Sequence, residues 1–323
     1  QSLHPQVRAE AIYLLAFFGG DKVVNILKQA VNDSDIHVRY TAVDCLHLLG
    51  YKEYSFFKAI TGKEPKTPEE YIKFLRYTEN YYEWVLCIKA QGELKKMGKK
   101  AIPALLETAQ KNNEPARCMA IETLGEMKAE EAIPLFTGYL KEEAKDETTF
   151  TVQSYCISAL LKIDTEESIK AIKEYGLSHK NPEIRYGTAV EIYGLINPIS
   201  PEYKERNLLL YPLFEKKKDE LRNEAKKVLL DIVEKADAGE RFNIALLFVR
   251  SKEKEGIPIL IGLLRDRKYF GSAKNWLEST TGQRFGKIPP VVSKKMLEEY
   301  IKKWEVWWEK NKDTFQFPQQ NKQ

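Results

Sequence analysis

The chain is poor in the residues that most often carry chemistry. Of its 323 residues only four are histidine and four are cysteine. His4, His37, His47 and His179 are scattered, and none is followed by glutamate. No H-E-x-x-H, G-x-S-x-G or phosphate-loop pattern occurs, so the usual marks of zinc hydrolysis, nucleophilic acyl transfer and nucleotide binding are missing. Cys45, Cys87, Cys118 and Cys156 stand far apart with no C-x-x-C pair, which argues against a zinc site or a redox couple. Each falls among apolar helical positions, where a buried free thiol is expected. Acidic residues are abundant everywhere, so no carboxylate pair stands out. No catalytic residue, cofactor or metal is expected.

Long hydrophobic runs are also missing. The longest, "AIYLLAFF" (11–18) and "IPILIGLL" (257–264), fall well short of the ~20 apolar residues needed to span a bilayer. Nor does one sign of charge dominate: 51 Lys and Arg stand against 47 Asp and Glu, interspersed, for a net +4. That balance is too mild to call for nucleic acid. The basic run "EKKKDELRNEAKK" (215–227) alternates with acids at helical spacing and reads as a solvated helix face. The chain opens on Gln1 without a methionine, an expectation of trimming upstream. A cytoplasmic protein and one exported after loss of a signal both fit, and no compartment follows.

What the chain does have is internal repetition. "HPQVRAEAIYLLAFFG" (4–19) and "DIHVRYTAVDCLHLLG" (35–50) align at an offset of 31, matching Val7-Arg8 with Val38-Arg39, Ala11 with Ala42 and Gly19 with Gly50. "EPARCMAIETLGEM" (114–127) and "NPEIRYGTAVEIYGLI" (181–196) continue the pattern. Between these copies, "KKAIPALLETAQ" (99–110), "EEAIPLFTGYLK" (130–141) and "KEGIPILIGLLRD" (254–266) share an Ile-Pro step. Proline is harmless in the first turn of a helix, where its missing N–H would go unpaired anyway. Each unit therefore reads as a first helix opened by Ile-Pro, a short turn, and a second helix opened by Val-Arg or Ile-Arg. The second helices carry one apolar stripe at i, i+3, i+4 and i+7. Weaker copies at 151–163 and 220–233 are also read as second helices.

On these residues the chain resembles HEAT-repeat proteins, in particular the bacterial HEAT-like class first described in phycobilisome lyases, over roughly 4–50 and 96–270. The resemblance implies an all-α fold: an α-solenoid of stacked antiparallel helix pairs with a concave inner face. It also implies that Arg8, Arg39, Arg117 and Arg185 bond the preceding turn or an acid of the neighbouring repeat, rather than forming a ladder for nucleic acid. The whole chain, 1–323, then reads as a single solenoid: first repeats over 4–60, an inserted loop and aromatic helix over 61–95, further repeats over 96–275, and a capping extension over 276–323.

Two segments that break the repeat share a plan: "FFKAITGKEPKTPEEYIKFLRYTENYYEWV" (56–85) and "NWLESTTGQRFGKIPPVVSKKMLEEYIKKWEVWWEKN" (275–311). Both carry Thr-Gly (Thr61-Gly62, Thr281-Gly282), a proline-bearing loop and "EEYIK". Glycine after threonine fits a helix end with positive φ. Thr67 with Pro68, Glu69 and Glu70 is a helix start, and Ser293 a second. Phe74, Tyr77, Tyr81 and Trp84 are spaced 3, 4, 3, as are Leu297, Tyr300, Trp304 and Trp307, so each set is expected on one helix face. The Thr281–Gly286 loop with Trp304, Trp307 and Trp308 resembles a C-terminal extension common on bacterial HEAT proteins. There it implies a helix that covers the edge of the last repeat, through Trp304 and Trp307. Tyr82 falls off the internal stripe and Trp308 points about 100° away from Trp307 by helical geometry. Tyr81, Tyr82, Trp84 and Trp308 are therefore the candidate partner-binding residues.

The expected function is a non-enzymatic protein–protein interaction scaffold that binds another protein through a solenoid face. Two alternatives are a nucleic-acid-binding relative of the HEAT-like alkylpurine DNA glycosylases and a protein related to chromophore lyases. The unsegregated charge speaks against the first, and the second rests on the repeat resemblance alone. The absence of His-Glu pairs speaks against the di-iron HEAT hydroxylases of deoxyhypusine.

Overall fold

A computed structural model of the chain describes residues 4–76, 79–111, 114–143, 146–196, 211–286 and 293–318. Those residues form seventeen α-helices and no strand, an α-solenoid built of helix pairs. The chain divides into two compact units, Gln1–Leu135 and Phe136–Gln323. The first holds α1 (Pro5–Phe18), α2 (Asp21–Ala30), α3 (Ile36–Leu48), α4 (Phe56–Thr61), α5 (Pro68–Ile72), α6 (Tyr81–Met97), α7 (Ile102–Gln110) and α8 (Glu114–Glu126). Helix α9 (Ile133–Lys141) spans the division in sequence. The second unit continues with α10 (Glu147–Ile163), α11 (Glu166–Ala171), α12 (Pro182–Ile196), α13 (Pro212–Val233), α14 (Ala238–Arg250), α15 (Gly256–Leu263), α16 (Phe270–Thr281) and α17 (Lys294–Asn311).

The apolar stripes do bury. On α3, Val38, Ala42, Cys45 and Leu46 are sealed against Ala9 and Ile12 of α1 and Val23, Val24 and Leu27 of α2. All four cysteines are buried. Burial pushes the Cys45 thiol up to about 11 and raises that of Cys87, so neither is an available thiolate.

The recurring arginines are structural ties. The Arg39 guanidinium donates to the carbonyls of Asp33 (2.9 Å), Ser34 (2.8 Å) and Ala59 (2.6 Å). Arg117 donates to the Lys111 carbonyl at 2.8 Å, and Arg185 to those of His179 (2.8 Å) and Lys180 (3.0 Å). Arg8 instead makes a two-pronged pair with Asp33, in the turn before α3, at 2.7 and 3.0 Å. Fork geometry suits arginine to this task, because one side chain satisfies two or three carbonyls left over at a turn. The structure adds a copy that the sequence pattern missed. Arg241 of α14 donates to the carbonyls of Val233 (3.1 Å) and Glu234 (3.2 Å), closing the turn before it in the same way.

That contact corrects the reading of 220–233 as a second helix. Those residues end the 22-residue α13, which opens at Pro212, and the arginine-anchored second helix is α14. The basic run of 215–227 lies on α13 and is more than a solvated face. Lys226 pairs with Glu253 and Glu255, Lys217 with Glu166, and Glu220 and Glu224 with Lys173, so its charges tie neighbouring elements together.

The two related segments agree at their starts. Gly62 and Gly282 end α4 and α16 in the left-handed region, with φ of 77° and 72°. Thr61 and Thr281 donate from Oγ1 to the carbonyl four residues back, and each accepts from the amide two residues on. Thr67 caps α5 in a reciprocal box with Glu70, and the Ser293 hydroxyl accepts from the Met296 amide at the start of α17.

They then part. The C-terminal stripe lies on one unbroken helix, with Tyr300 and Trp304 buried and Leu297 and Trp307 packed on the same core as Leu260, Leu264 and Leu277. The internal stripe does not. Helix α5 stops at Ile72 and α6 starts at Tyr81, so Phe74 and Trp84 belong to different elements, while Tyr77 lies outside the described residues. The start of the new helix is set by Asn80, whose side chain accepts from the amides of Tyr82 and Glu83. Phe74 packs on Phe57 at 5.1 Å between ring centroids, beside Tyr71 and the buried Leu75.

Candidate interaction surface

Helix α6 lies beside α3 and α8. Its core face is Val85, Leu86, Cys87, Ala90 and Leu94. Its opposite face carries Tyr81, Trp84 and Ile88 at i, i+3 and i+7, which are 56%, 47% and 47% exposed. Three large apolar side chains on the wet side of a helix are not explained by its packing.

These side chains are held in place. The Tyr81 hydroxyl lies 2.7 Å from that of Tyr40 on α3, and the Tyr82 hydroxyl lies 2.8 Å from Nδ1 of His37. The rings of Tyr40, Tyr81 and Tyr82 meet edge to face, with centroids 5.5 to 5.8 Å apart. Trp84 continues the row, 6.3 Å from Tyr81. Below them Tyr40 rests on Phe56 at 5.5 Å, and Phe56 is flanked by His47 (4.8 Å) and covered by the Lys89 ammonium (4.4 Å). Edge-to-face packing at these distances adds to simple burial and fixes ring orientation.

The chemistry of the patch is neutral. Burial, then the Tyr81 contact and the charge of Asp44, raise the Tyr40 phenol well above its ordinary range. Burial and Asp35 raise that of Tyr82. Both stay protonated near neutrality and serve as hydrogen-bonding groups rather than as bases. Two further histidines serve their own turns: His47 Nε2 lies 2.7 Å from the Tyr54 carbonyl, and His179 Nδ1 accepts from the Asn181 amide. Among the described residues no group of three His, Cys, Asp or Glu side chains is placed to hold a metal ion.

Of the four candidate residues, the structure brings Tyr81, Tyr82 and Trp84 together. It places Trp308 elsewhere, half-buried at the end of α17 and in ring contact with Trp307 (6.3 Å) and Phe315 (5.8 Å). Phe315 and Phe317 fold back on that aromatic end. His37, Tyr40 and Ile88 complete the α3–α6 patch and were not singled out in the sequence. The signal for Ile88 was present: it extends the Tyr81–Trp84 spacing by one turn.

Stacked helix pairs, several of them tied at a turn by an arginine, define a helical-repeat solenoid. Consistent with this, residues 1–66 and 69–154 match the family model described as HEAT repeats, so that stretch carries HEAT repeats. No curated protein matches the sequence. Among solved structures, the X-ray structure of YibA from E. coli is similar at 16% identity, over 83% of this chain and 96% of that one. Its TM-score of 0.28 is too low to bear on fold or function. No helix among the described residues is long and apolar enough to cross a membrane.

Proposed function

We propose that this protein is a non-enzymatic interaction scaffold, and that the α3–α6 face carrying Tyr40, Tyr81, Tyr82, Trp84 and Ile88 binds a partner protein. The observation that carries the reading is the exposed Tyr81–Trp84–Ile88 row on a helix whose other face is already buried. Exposed tyrosine and tryptophan dominate protein interfaces because a large rigid ring buries much area with few rotamers to freeze. The two hydroxyl contacts fix Tyr81 and Tyr82 before binding, which lowers the ordering cost of association.

The test is affinity capture from native lysate with the wild type and with Trp84→Ala and Tyr81→Ala, followed by titration of the captured protein. A partner that binds the wild type and loses tenfold or more affinity with either variant, at unchanged melting temperature, supports the site. Equal binding by all three removes it. Micromolar, salt-sensitive binding of duplex DNA in fluorescence anisotropy would replace a protein partner with nucleic acid.

A further inference from the structure

The exposed row on α6 lies between two carboxylates. Asp44 on α3 and Glu122 on α8 each stand five residues after the arginine that anchors their helix, Arg39 and Arg117. Asp44 follows Tyr40 by one helical turn, and the Tyr40 hydroxyl meets that of Tyr81. Its charge acts on the Tyr40 phenol, behind burial and the Tyr81 contact, which sets Asp44 at the α3 edge of the row. On the other side, Gln91 follows Ile88 by one turn. Its side-chain amide donates to Glu122 and to the Thr123 hydroxyl, each at 3.3 Å. Asp44 and Glu122 are both half-buried, so their charges are screened less than those of fully exposed groups.

The cations of α3 and α6 are already engaged. Arg39 donates to three carbonyls, and the Lys89 ammonium lies 4.4 Å from the centre of the Phe56 ring. Lys95 pairs with Glu126 at 2.7 Å, and Lys96 with Glu93 at 2.6 Å. Glu83, near the start of the row, pairs with Arg76 at 3.0 Å. Asp44 has no cation within ion-pairing distance among the described residues.

We infer that the occupant of this surface is a basic protein segment, which sets an aromatic or aliphatic anchor on the Tyr81–Trp84–Ile88 row and flanking arginines against Asp44 and Glu122. The inference rests on the α3–α6 face being the binding site. Arginine suits both parts of the surface. Its flat guanidinium stacks on an exposed indole or phenol ring, and its N–H fork takes a carboxylate. An incoming carboxylate or phosphate would instead lie among like charges, which disfavours an acidic segment and nucleic acid alike. The spacing sets a length. Helices packed side by side stand ~8–10 Å apart, so α3 to α8 is two such steps. An extended segment at about 3.3 Å per residue crosses them in roughly five or six residues.

The experiment is a display selection of random peptides, about twelve residues long, on the full chain and on Trp84→Ala in parallel. The wild type should enrich peptides with arginine on either side of an aromatic or aliphatic residue, and Trp84→Ala should lose them. An enriched peptide, labelled with fluorescein, is then titrated by anisotropy. Asp44→Asn and Glu122→Gln should each weaken it about three- to tenfold at unchanged melting temperature, and raised salt should weaken the wild-type complex. A loss with one variant alone assigns the arginine to that carboxylate and still supports a basic segment. Peptides that need Trp84 but are acidic, or carry no excess of arginine, overturn the inference and leave the site standing. So do arginine peptides that both variants bind as tightly as the wild type does. Peptides held equally by the wild type and Trp84→Ala, or no enrichment at all, remove the site and the inference together.

Discussion

The segments 56–85 and 275–311 begin alike and end differently. Both close a helix with Thr-Gly in the same hydrogen-bonded form, both restart with a capped "EEYIK" helix, and both carry large side chains at 3, 4, 3. In the second, the helix runs on for 18 residues and its stripe seals a core. In the first it stops after one turn and a half, and a new helix presents Tyr81 and Trp84 to solvent. One residue marks where the new helix begins. Asn80 occupies a position where the C-terminal copy has Lys303, and asparagine competes for backbone amides where lysine does not. A shared spacing therefore produced a structural plug in one place and an exposed aromatic row in the other.

The largest test of that contrast is Trp304→Ala. Trp304 is fully buried in the aromatic end of α17, in contact with Phe285 and Trp307, so truncation leaves a cavity. A loss of about 3–5 kcal/mol is expected, read in a urea or thermal transition as a fall of roughly 10 °C. Trp304→Ala at an unchanged melting temperature would remove the sealing role.

Asn80→Ala comes next, and its sign separates the two arrangements. With α6 starting at Asn80, loss of the cap costs about 1 kcal/mol and speeds amide exchange at Tyr82 and Glu83. Were the internal stripe one continuous helix, alanine would be the better helix former and the variant would gain stability.

Trp84→Ala, by contrast with Trp304→Ala, should change stability by no more than about 0.5 kcal/mol, because the side chain is already half in water. A loss comparable to that of Trp304→Ala would mean that the α6 row is core rather than surface.

The smallest effect is one of pH. The Glu70 carboxylate accepts the amides of Lys66 and Thr67, which holds it below the ordinary carboxylate range. Its folded value is the lower one, so its contribution is whole above about pH 5 and is lost as pH falls through that lowered value. The Ser293 cap of α17 has no carboxylate of this kind. Acidification should thus loosen the start of α5 and not that of α17, visible as earlier amide exchange at Glu70 than at Met296. Parallel loosening of both would show that the capping carboxylate is not the cause.

Much of the local architecture was legible without coordinates. The 31-residue offset, the Ile-Pro starts, the arginines and the Thr-Gly ends all appear where their spacing placed them, because each depends on neighbours within a turn or two of the chain. The exceptions have physical reasons. The second helix at α14 was misplaced onto α13, since α13 carries the stronger apolar period while the arginine that marks the repeat is Arg241. The break at Asn80 was overlooked because a 3, 4, 3 period says which residues share a face only if the helix is continuous.

The candidate surface was half visible. Tyr81, Tyr82 and Trp84 could be picked out from α6 alone, but Tyr40 and His37 lie more than forty positions earlier, and only packing of α3 beside α6 joins them. Likewise α1 carries apolar residues on both its inner and its outer face, and periodicity cannot say which side faces inward. Sequence spacing decided which residues belong to one helix and where each helix starts. Which face meets water, and which distant side chains share it, depended on the neighbours that tertiary packing brings or leaves out.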